Sequence, residues 1–129
     1  MKIDHIAIWV QDLEKVRTFY STYFGASCNH MYHNEKKNYK SYFLSFDGGC
    51  RIEIMTRPDI AGTAQDYDRQ QFGLAHFSLA VGSKEMVNAL TERLRTDGFR
   101  IASEPRTTGD GYYESVVVDP EGNIVEIAE

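Results

Sequence analysis

The sequence has little that would mark an exported, membrane-bound or nucleic-acid-binding protein. Its N-terminal apolar run is short and interrupted by Asp4 and His5, with no small-residue cleavage site or spanning length after it, which is unlike a signal peptide or a membrane helix. Lys and Arg are interspersed among Asp and Glu, with a net charge of -5 and no basic cluster to bind phosphates. We therefore expect a cytoplasmic protein with no nucleic-acid and no membrane partner.

Cysteine is also scarce, since only Cys28 and Cys50 are present. Two cysteines in a chain without an export signal are typical of reduced thiols rather than of a disulfide framework. At 129 residues the chain can bury a working core but is too short for two independent domains. We expect a single domain, 1–129, in which any duplication is one of modules.

The two halves of the chain carry the same order of secondary-structure signals. Each half begins with a strand and continues with a helix that has an N-cap residue and a terminating glycine; the caps and glycines are Asp12 and Gly25, then Ser83 and Gly98. Apolar residues recur at helical spacing, namely Leu13, Val16, Tyr20 and Tyr23, then Val87, Leu90 and Leu94. The predicted strands are 3–10, 27–32, 41–46 and 51–55, then 75–81, 99–102, 113–118 and 123–127. The sequence thus predicts an α+β fold of tandem βαβββ modules, 1–55 and 74–129, joined by a polar connection, 56–73.

The repeat also carries four residues of metal-ligand type. His5 and His76 lie at equivalent points of the first strands, and Glu53 and Glu126 lie in the equivalent last strands, each glutamate four residues after a turn glycine. A single strand histidine or glutamate is more often a solvent-facing residue than a ligand. The equivalence of all four under the repeat favours a shared role.

Strand alternation indicates where these side chains point, because residues of one parity share a face. The apolar faces of the two first strands are Ile6, Ile8 and Val10, then Phe77, Leu79 and Val81, and the histidines lie opposite. A curved, barrel-like mixed sheet with the histidine face inward would enclose a cavity. Carboxylates buried there need compensation, so we predict one divalent metal ion held by His5, Glu53, His76 and Glu126. This donor set accepts zinc, nickel, cobalt, manganese or iron.

Three segments resemble the glyoxalase, bleomycin-resistance and dioxygenase superfamily, also called the vicinal oxygen chelate superfamily: DHIAI at 4–8, AHFSL at 75–79 and DPEGNIVE at 119–126. The resemblance covers essentially the whole chain, and the order His, Glu, His, Glu is similar to bacterial glyoxalase I, which isomerises the hemithioacetal of methylglyoxal and glutathione. It implies the same four metal ligands, a metal that polarises vicinal oxygens and stabilises an enediolate, and Glu126 or Glu53 as the base. It also implies a homodimer.

The segment 103–113 is predicted to be a loop that closes over the site, because it contains Pro105, Gly109 and Gly111. Arg106 in this loop is a candidate to bind a substrate carboxylate or phosphate, and a solvated Arg106 is an equal alternative. Tyrosines of a β-rich protein usually pack with a wet hydroxyl, so Tyr39 is left out of the predicted site.

Three functions are compatible with these patterns. The first is metal-dependent proton transfer on a small substrate with vicinal oxygens, for which all four ligand-type residues are present. The second is ring-cleaving dioxygenation or thiol transfer, for which two histidines and one carboxylate suffice. The third is non-catalytic sequestration of a toxin, as in bleomycin-resistance proteins. Residues 56–73 do not match the family's glutathione-contacting stretch, which leaves the thiol of any hemithioacetal open.

Overall fold

The computed structural model of the chain describes residues 1–62 and 66–129. The chain divides into two compact units, unit 1 (residues 1–63) and unit 2 (residues 64–129). The elements of unit 1 are β1 (His5–Trp9), α1 (Leu13–Phe24), β2 (Ser27–Cys28), β3 (Tyr32–Asn34), β4 (Tyr39–Ser45) and β5 (Arg51–Thr56). Those of unit 2 are β6 (Phe77–Ala80), α2 (Lys84–Thr96), β7 (Ile101–Thr107), β8 (Tyr113–Val118) and β9 (Ile124–Ala128).

Both helices begin at the predicted caps and α1 ends at the predicted Gly25, whereas α2 is capped by Asp97, one residue before the predicted Gly98. The side chain of Asp12 accepts a hydrogen bond from the Lys15 backbone N–H, and the side chain of Ser83 caps α2 in the same way. Each cap satisfies a backbone donor that the first helical turn leaves without a partner. Gly25 follows α1 with a φ of 65°, a left-handed conformation that glycine adopts without steric cost.

The two sheets have the same topology around the ligand-type residues. In unit 1 the strand order is β1-β5-β4-β2, with β3 paired to β4, and in unit 2 it is β6-β9-β8-β7. β1 runs parallel to β5 with Ala7 opposite Glu53, and β6 runs parallel to β9 with Ser78 opposite Glu126. The predicted α+β fold of tandem modules is confirmed. Its strands form two mixed sheets, one in each unit, and each sheet contains parallel and antiparallel pairs.

The core of each unit lies between its helix and one face of its sheet. The apolar stripes of α1 and α2 are buried, together with the sheet residues Ile8, Leu44, Ile52 and Ile54 in unit 1 and Val117, Val125 and Ile127 in unit 2. Burying such side chains contributes about 1.5–3 kcal/mol each to folding. On the opposite face of β1, His5, Ala7 and Trp9 are exposed. The predicted alternation of the first strand is therefore confirmed.

Two of the predicted strands differ from the observed ones. The segment 27–32 is two short strands rather than one, because the Asn29 side-chain oxygen accepts the Phe43 backbone N–H and interrupts the backbone ladder. The strand predicted at 75–81 begins at Phe77, so His76 immediately precedes β6. The remaining strand ends differ from the prediction by two residues or fewer, apart from the end of β7, which lies five residues later than predicted.

The prediction of a loop at 103–113 is wrong for its first half, residues 103–107, which form part of a strand. β7 continues to Thr107, so Arg106 lies in a strand and only residues 108–112 connect β7 to β8. Pro105 is compatible with this strand because β7 is at the edge of its sheet and its register with β8 shifts between Ser103 and Arg106. A proline at a sheet edge or at a bulge removes no ladder hydrogen bond.

The predicted connection, 56–73, lies partly outside the described residues, because 63–65 are not described. Its first residue, Thr56, belongs to β5, and residues 57–62 and 66–73 contain turns without helix or strand. Within the described ranges, neither helix is long and apolar enough to cross a membrane.

Candidate metal site

Unit 1 brings together His5 and Glu53, the two ligand-type residues predicted in it. The parallel register of β1 and β5 places Glu53 beside Ala7, on the strand face that also carries His5. The His5 Nε2 atom lies 3.8 Å from Glu53 Oε2. The carboxylate is the more buried partner, since the Glu53 side chain is 14% exposed and that of His5 is 39% exposed. A half-buried carboxylate thus faces an imidazole that solvent can reach.

Asp4 orients the imidazole of His5. The Asp4 Oδ2 atom lies 2.9 Å from His5 Nδ1 and also accepts a hydrogen bond from Arg51. These two hydrogen bonds lower the pKa of Asp4 below its ordinary value, so the carboxylate is ionised and accepts from Nδ1–H. In the neutral imidazole that a metal ligand requires, Nε2 is then the nitrogen with the free lone pair, as in the carboxylate–histidine–metal arrangement of many metal sites.

Tyr39 fixes the carboxylate of Glu53 from the other side. Its hydroxyl donates to Glu53 Oε1 at 2.8 Å, which leaves Oε2 as the oxygen that faces His5. Burial raises the pKa of the Tyr39 hydroxyl, and the hydrogen bond to Glu53 raises it further. The hydroxyl therefore remains a donor at neutral pH. An outer hydrogen bond of this kind restricts the orientation of a ligating carboxylate.

Unit 2 contains the equivalent pair, His76 and Glu126. The His76 Nε2 atom lies 3.3 Å from Glu126 Oε2, and the side chains are 49% and 17% exposed, respectively. Ser78 lies opposite Glu126, as Ala7 lies opposite Glu53 in unit 1. The repeat seen in the sequence therefore extends to the geometry of each pair. The residue before His76 is Ala75, so the orienting carboxylate of unit 1 has no counterpart at that position.

The carboxylate of Glu126 has a different neighbour from that of Glu53. Burial raises the pKa of Glu114, and the charge of Glu126 and a hydrogen bond to it raise the pKa further, while the neighbouring Arg106 lowers it. Arg106 Nη1 lies 3.3 Å from Glu114 Oε1. The positive charge of Arg106 is therefore paired with Glu114, while its side chain is 52% exposed and accessible to a small molecule.

The donor atoms of each pair fit a divalent metal ion. Two ligand atoms bound at about 2.1 Å to one ion are separated by about 3.0–3.5 Å, which matches the 3.3 Å of the His76 pair and is slightly shorter than the 3.8 Å of the His5 pair. Across the part of the chain that the structure describes, no group of three or more His, Cys, Asp or Glu side chains forms a complete metal site. Each unit by itself thus supplies a pair of donors.

Sequence reasoning missed three residues that contact the predicted ligands. Asp4 had a signal, because it directly precedes His5 in the segment that resembles the superfamily. Glu114 also had one, as the single charged residue of the strand YESVVV. No sequence signal identified Tyr39 beyond its alternating position in the strand, because its contact with Glu53 depends on the register of β4 and β5.

Comparison with known proteins agrees with this fold. The family model of the Glyoxalase/Bleomycin resistance protein/Dioxygenase superfamily matches residues 2–127. The chain is 27% identical over 126 residues to the uncharacterized protein YqjT of Bacillus subtilis, over 95% of this chain and 94% of YqjT. A glyoxalase family protein from Enterococcus faecalis has a TM-score of 0.78 at 24% identity, over 99% of this chain and 97% of that one. The trypanothione-dependent glyoxalase I of Leishmania major also has a TM-score of 0.78, at 20% identity, over 100% of this chain and 86% of that one. On the family match over nearly its whole length, the chain belongs to the glyoxalase/bleomycin resistance protein/dioxygenase superfamily.

Proposed function

We propose that the chain is a divalent-metal-dependent lyase or isomerase of the glyoxalase I type, acting on a small substrate with vicinal oxygens. The observation that carries the proposal is the equivalence of the two histidine–glutamate pairs, each with a nitrogen facing a carboxylate oxygen at 3.8 or 3.3 Å. Membership of the superfamily supports a small-molecule substrate, and the Leishmania major relative is itself a glyoxalase I.

In this proposal His5, Glu53, His76 and Glu126 hold one metal ion, with two donors from each unit. A homodimer is part of the proposal, and the donor set is satisfied whether one chain or two chains supply the pairs. The metal, when bound, polarises the vicinal oxygens of the substrate. Cys28 and Cys50 are free thiols, which supports a reducing compartment and hence a cytoplasmic location.

The proton transfer is assigned to a glutamate. Glu53 is held by the Tyr39 hydroxyl at 2.8 Å, which stabilises its carboxylate in one orientation. Glu126 contacts the carboxyl group of Glu114 instead, so it lacks the tyrosine hydroxyl that restrains Glu53. We therefore assign to Glu126 the removal of a proton from one substrate carbon and its return to the neighbouring carbon. Arg106, beside this pair, is assigned to an anionic group of the substrate.

Elemental analysis tests the metal site directly. Protein purified without added metal or chelator should contain about one equivalent of a divalent metal, and the His5→Ala and His76→Ala variants should both lose it. His30→Ala is the matched control, because His30 is an exposed histidine of unit 1 outside the pair. The control should retain the metal content of the parent.

A parent protein that stays empty even when metal is offered would refute the site. Loss in only one histidine variant would show that the two pairs do not share one ion. If the parent and the control bind metal as expected, a hemithioacetal isomerase assay with glutathione and with other thiols tests the reaction. Glu126→Gln should then abolish turnover while the protein remains folded.

Sequestration without catalysis is a second candidate, favoured by the exposed aromatic residues on the face of unit 1 that carries His5. Trp9 is 42% exposed and Tyr32 is 53% exposed, an arrangement that suits the binding of a flat molecule. Ligand binding that is unchanged after metal removal would favour this function over proton transfer.

A further inference from the structure

Three aromatic side chains form a continuous surface in unit 1, which we call the aromatic platform: Trp9, Tyr32 and Tyr39. The Tyr39 ring lies between the other two, with its centroid 6.2 Å from that of Trp9 at an interplanar angle of 89° and 6.0 Å from that of Tyr32 at 62°. These are the edge-to-face arrangements that aromatic pairs prefer. The platform is therefore an ordered surface rather than a set of isolated side chains.

The orientation of Trp9 is fixed by its neighbours. The Arg57 guanidinium lies over the indole ring, 5.5 Å from its centroid, and is itself paired with Asp59. A guanidinium at this distance makes a cation–π contact with the ring. Trp9 is nevertheless 42% exposed, so this contact holds the indole in place while leaving a large part of it accessible.

The platform adjoins the donor pair of unit 1. Trp9 lies on the same face of β1 as His5, because both have the same parity in the strand. The Tyr39 hydroxyl donates to Glu53 Oε1 at 2.8 Å, so a single phenol ring separates the indole from a proposed metal ligand. A molecule bound at the metal could extend a ring directly onto Tyr39 and Trp9.

The exposed area of the platform suits one small ring better than a protein partner. A large aromatic side chain carries roughly 200 Å² of surface, so Trp9 at 42% and Tyr32 at 53% exposed leave on the order of 100 Å² each. A stable interface between two proteins buries about 800 Å² on each partner. The area fits the face of a single ring.

We propose that the aromatic platform binds an aromatic ring of the substrate, attached next to the vicinal oxygens. This deepens the function proposed above and rests on its metal site. The substrate class is then an aryl-substituted compound with vicinal oxygens rather than a short aliphatic one. The platform residues act in specificity, since they contact the ring and not the reacting atoms.

Two hydroxamates provide the test, because they share the same pair of vicinal oxygens and differ only in a methyl or a phenyl substituent. Calorimetric titration of zinc-loaded protein should show benzohydroxamate binding at least about tenfold more tightly than acetohydroxamate. Trp9→Leu and Tyr32→Leu should each reduce this preference by about twofold to tenfold and leave acetohydroxamate affinity and zinc content unchanged. Phe72→Leu, at an exposed aromatic residue of unit 2, is the control and should alter neither affinity.

Trp9 is the single tryptophan of the chain, so its fluorescence reports the contact directly. Benzohydroxamate should change the emission of the zinc-loaded parent more than acetohydroxamate does. If Trp9→Leu does not give a native circular dichroism spectrum, Tyr32→Leu carries the test, because Tyr32 lies in the short strand β3 and is 53% exposed.

The outcomes separate the platform from the metal site. Equal affinity for the two hydroxamates in a zinc-binding parent would overturn the platform alone and leave the metal site intact. A parent that binds neither zinc nor either hydroxamate would overturn both. A Trp9→Leu variant with an altered oligomeric state and an unchanged preference would show that a second copy of the chain covers the platform, which also overturns the inference.

Discussion

Replacing Tyr39 by phenylalanine tests whether Glu53 is a metal ligand and whether its orientation matters. The substitution keeps the ring and removes only the hydroxyl that donates to Glu53 Oε1 at 2.8 Å. Hydrogen bonds to charged groups contribute about 1.5–3 kcal/mol, and loss of an outer partner of a metal ligand typically weakens metal binding about 10- to 100-fold. The two ranges agree, since a factor of 10 corresponds to about 1.4 kcal/mol. We expect Tyr39→Phe to raise the Kd for zinc by about 10- to 100-fold.

Tyr42→Phe is the matched control for this experiment. Tyr42 lies in the same strand, β4, on the opposite face, and its hydroxyl donates to Glu14 Oε1 at 2.6 Å. The control therefore loses the same kind of tyrosine–glutamate hydrogen bond, at a glutamate outside the predicted site. Its zinc affinity should equal that of the parent.

Competition against a fluorescent zinc chelator at fixed pH measures both affinities. A Tyr39→Phe variant with the zinc affinity of the parent would refute the reasoning, as would an equal loss in Tyr42→Phe. In a Glu53→Gln background the Tyr39→Phe substitution should add little, because the carboxylate that it orients has been removed. A full additive loss there would mean that Tyr39 acts on something other than Glu53.

Two further predictions concern stability, measured by urea unfolding. Hydrogen bonds from Tyr42 and then Arg17 lower the pKa of Glu14 below 4.5, so its carboxylate stabilises the folded state above this pH, and the contribution is lost as the pH falls through the folded pKa. Glu14→Gln should therefore lower the free energy of unfolding by less than about 1 kcal/mol at pH 7 and by still less at pH 3.5. A loss of stability that becomes larger at the lower pH would contradict this prediction. In unit 2, the buried hydroxyls of Thr91 and Ser115 lie 2.7 Å apart, so Thr91→Val should cost about 1–3 kcal/mol. Ser115→Ala should lower the free energy of unfolding less in the Thr91→Val variant than in the parent protein. Strictly additive losses of stability would mean that the two hydroxyls are independent.

The sequence predicted the secondary structure best where the signal is local. Asp12 and Gly25 mark the ends of α1 through contacts within a few residues, and the alternation of Ile8 with His5 along β1 follows from strand geometry alone. Both were confirmed. The failures occurred where the outcome depends on a neighbouring strand, as with Asn29, whose side chain bonds to the Phe43 backbone.

The same distinction explains the error at Arg106. Pro105 and the glycines of 103–113 are typical of a loop, but the pairing of β7 with β8 extends through Thr107. An edge strand tolerates proline because one side of its backbone is unpaired. Whether a strand lies at an edge is a property of the sheet and cannot be read from the strand's own residues.

The sequence by itself determined the repeat, the two helices, the apolar faces and the positions of the four ligand-type residues, because each of these depends on local periodicity or on similarity between the halves. Only the tertiary structure decided which side chains orient the ligands. The hydroxyl of Tyr39 reaches Glu53, and the carboxyl of Glu114 reaches Glu126, through strand registers that bring together residues distant in the chain. The two glutamates, equivalent in sequence, thereby acquire different surroundings and, in our proposal, different roles.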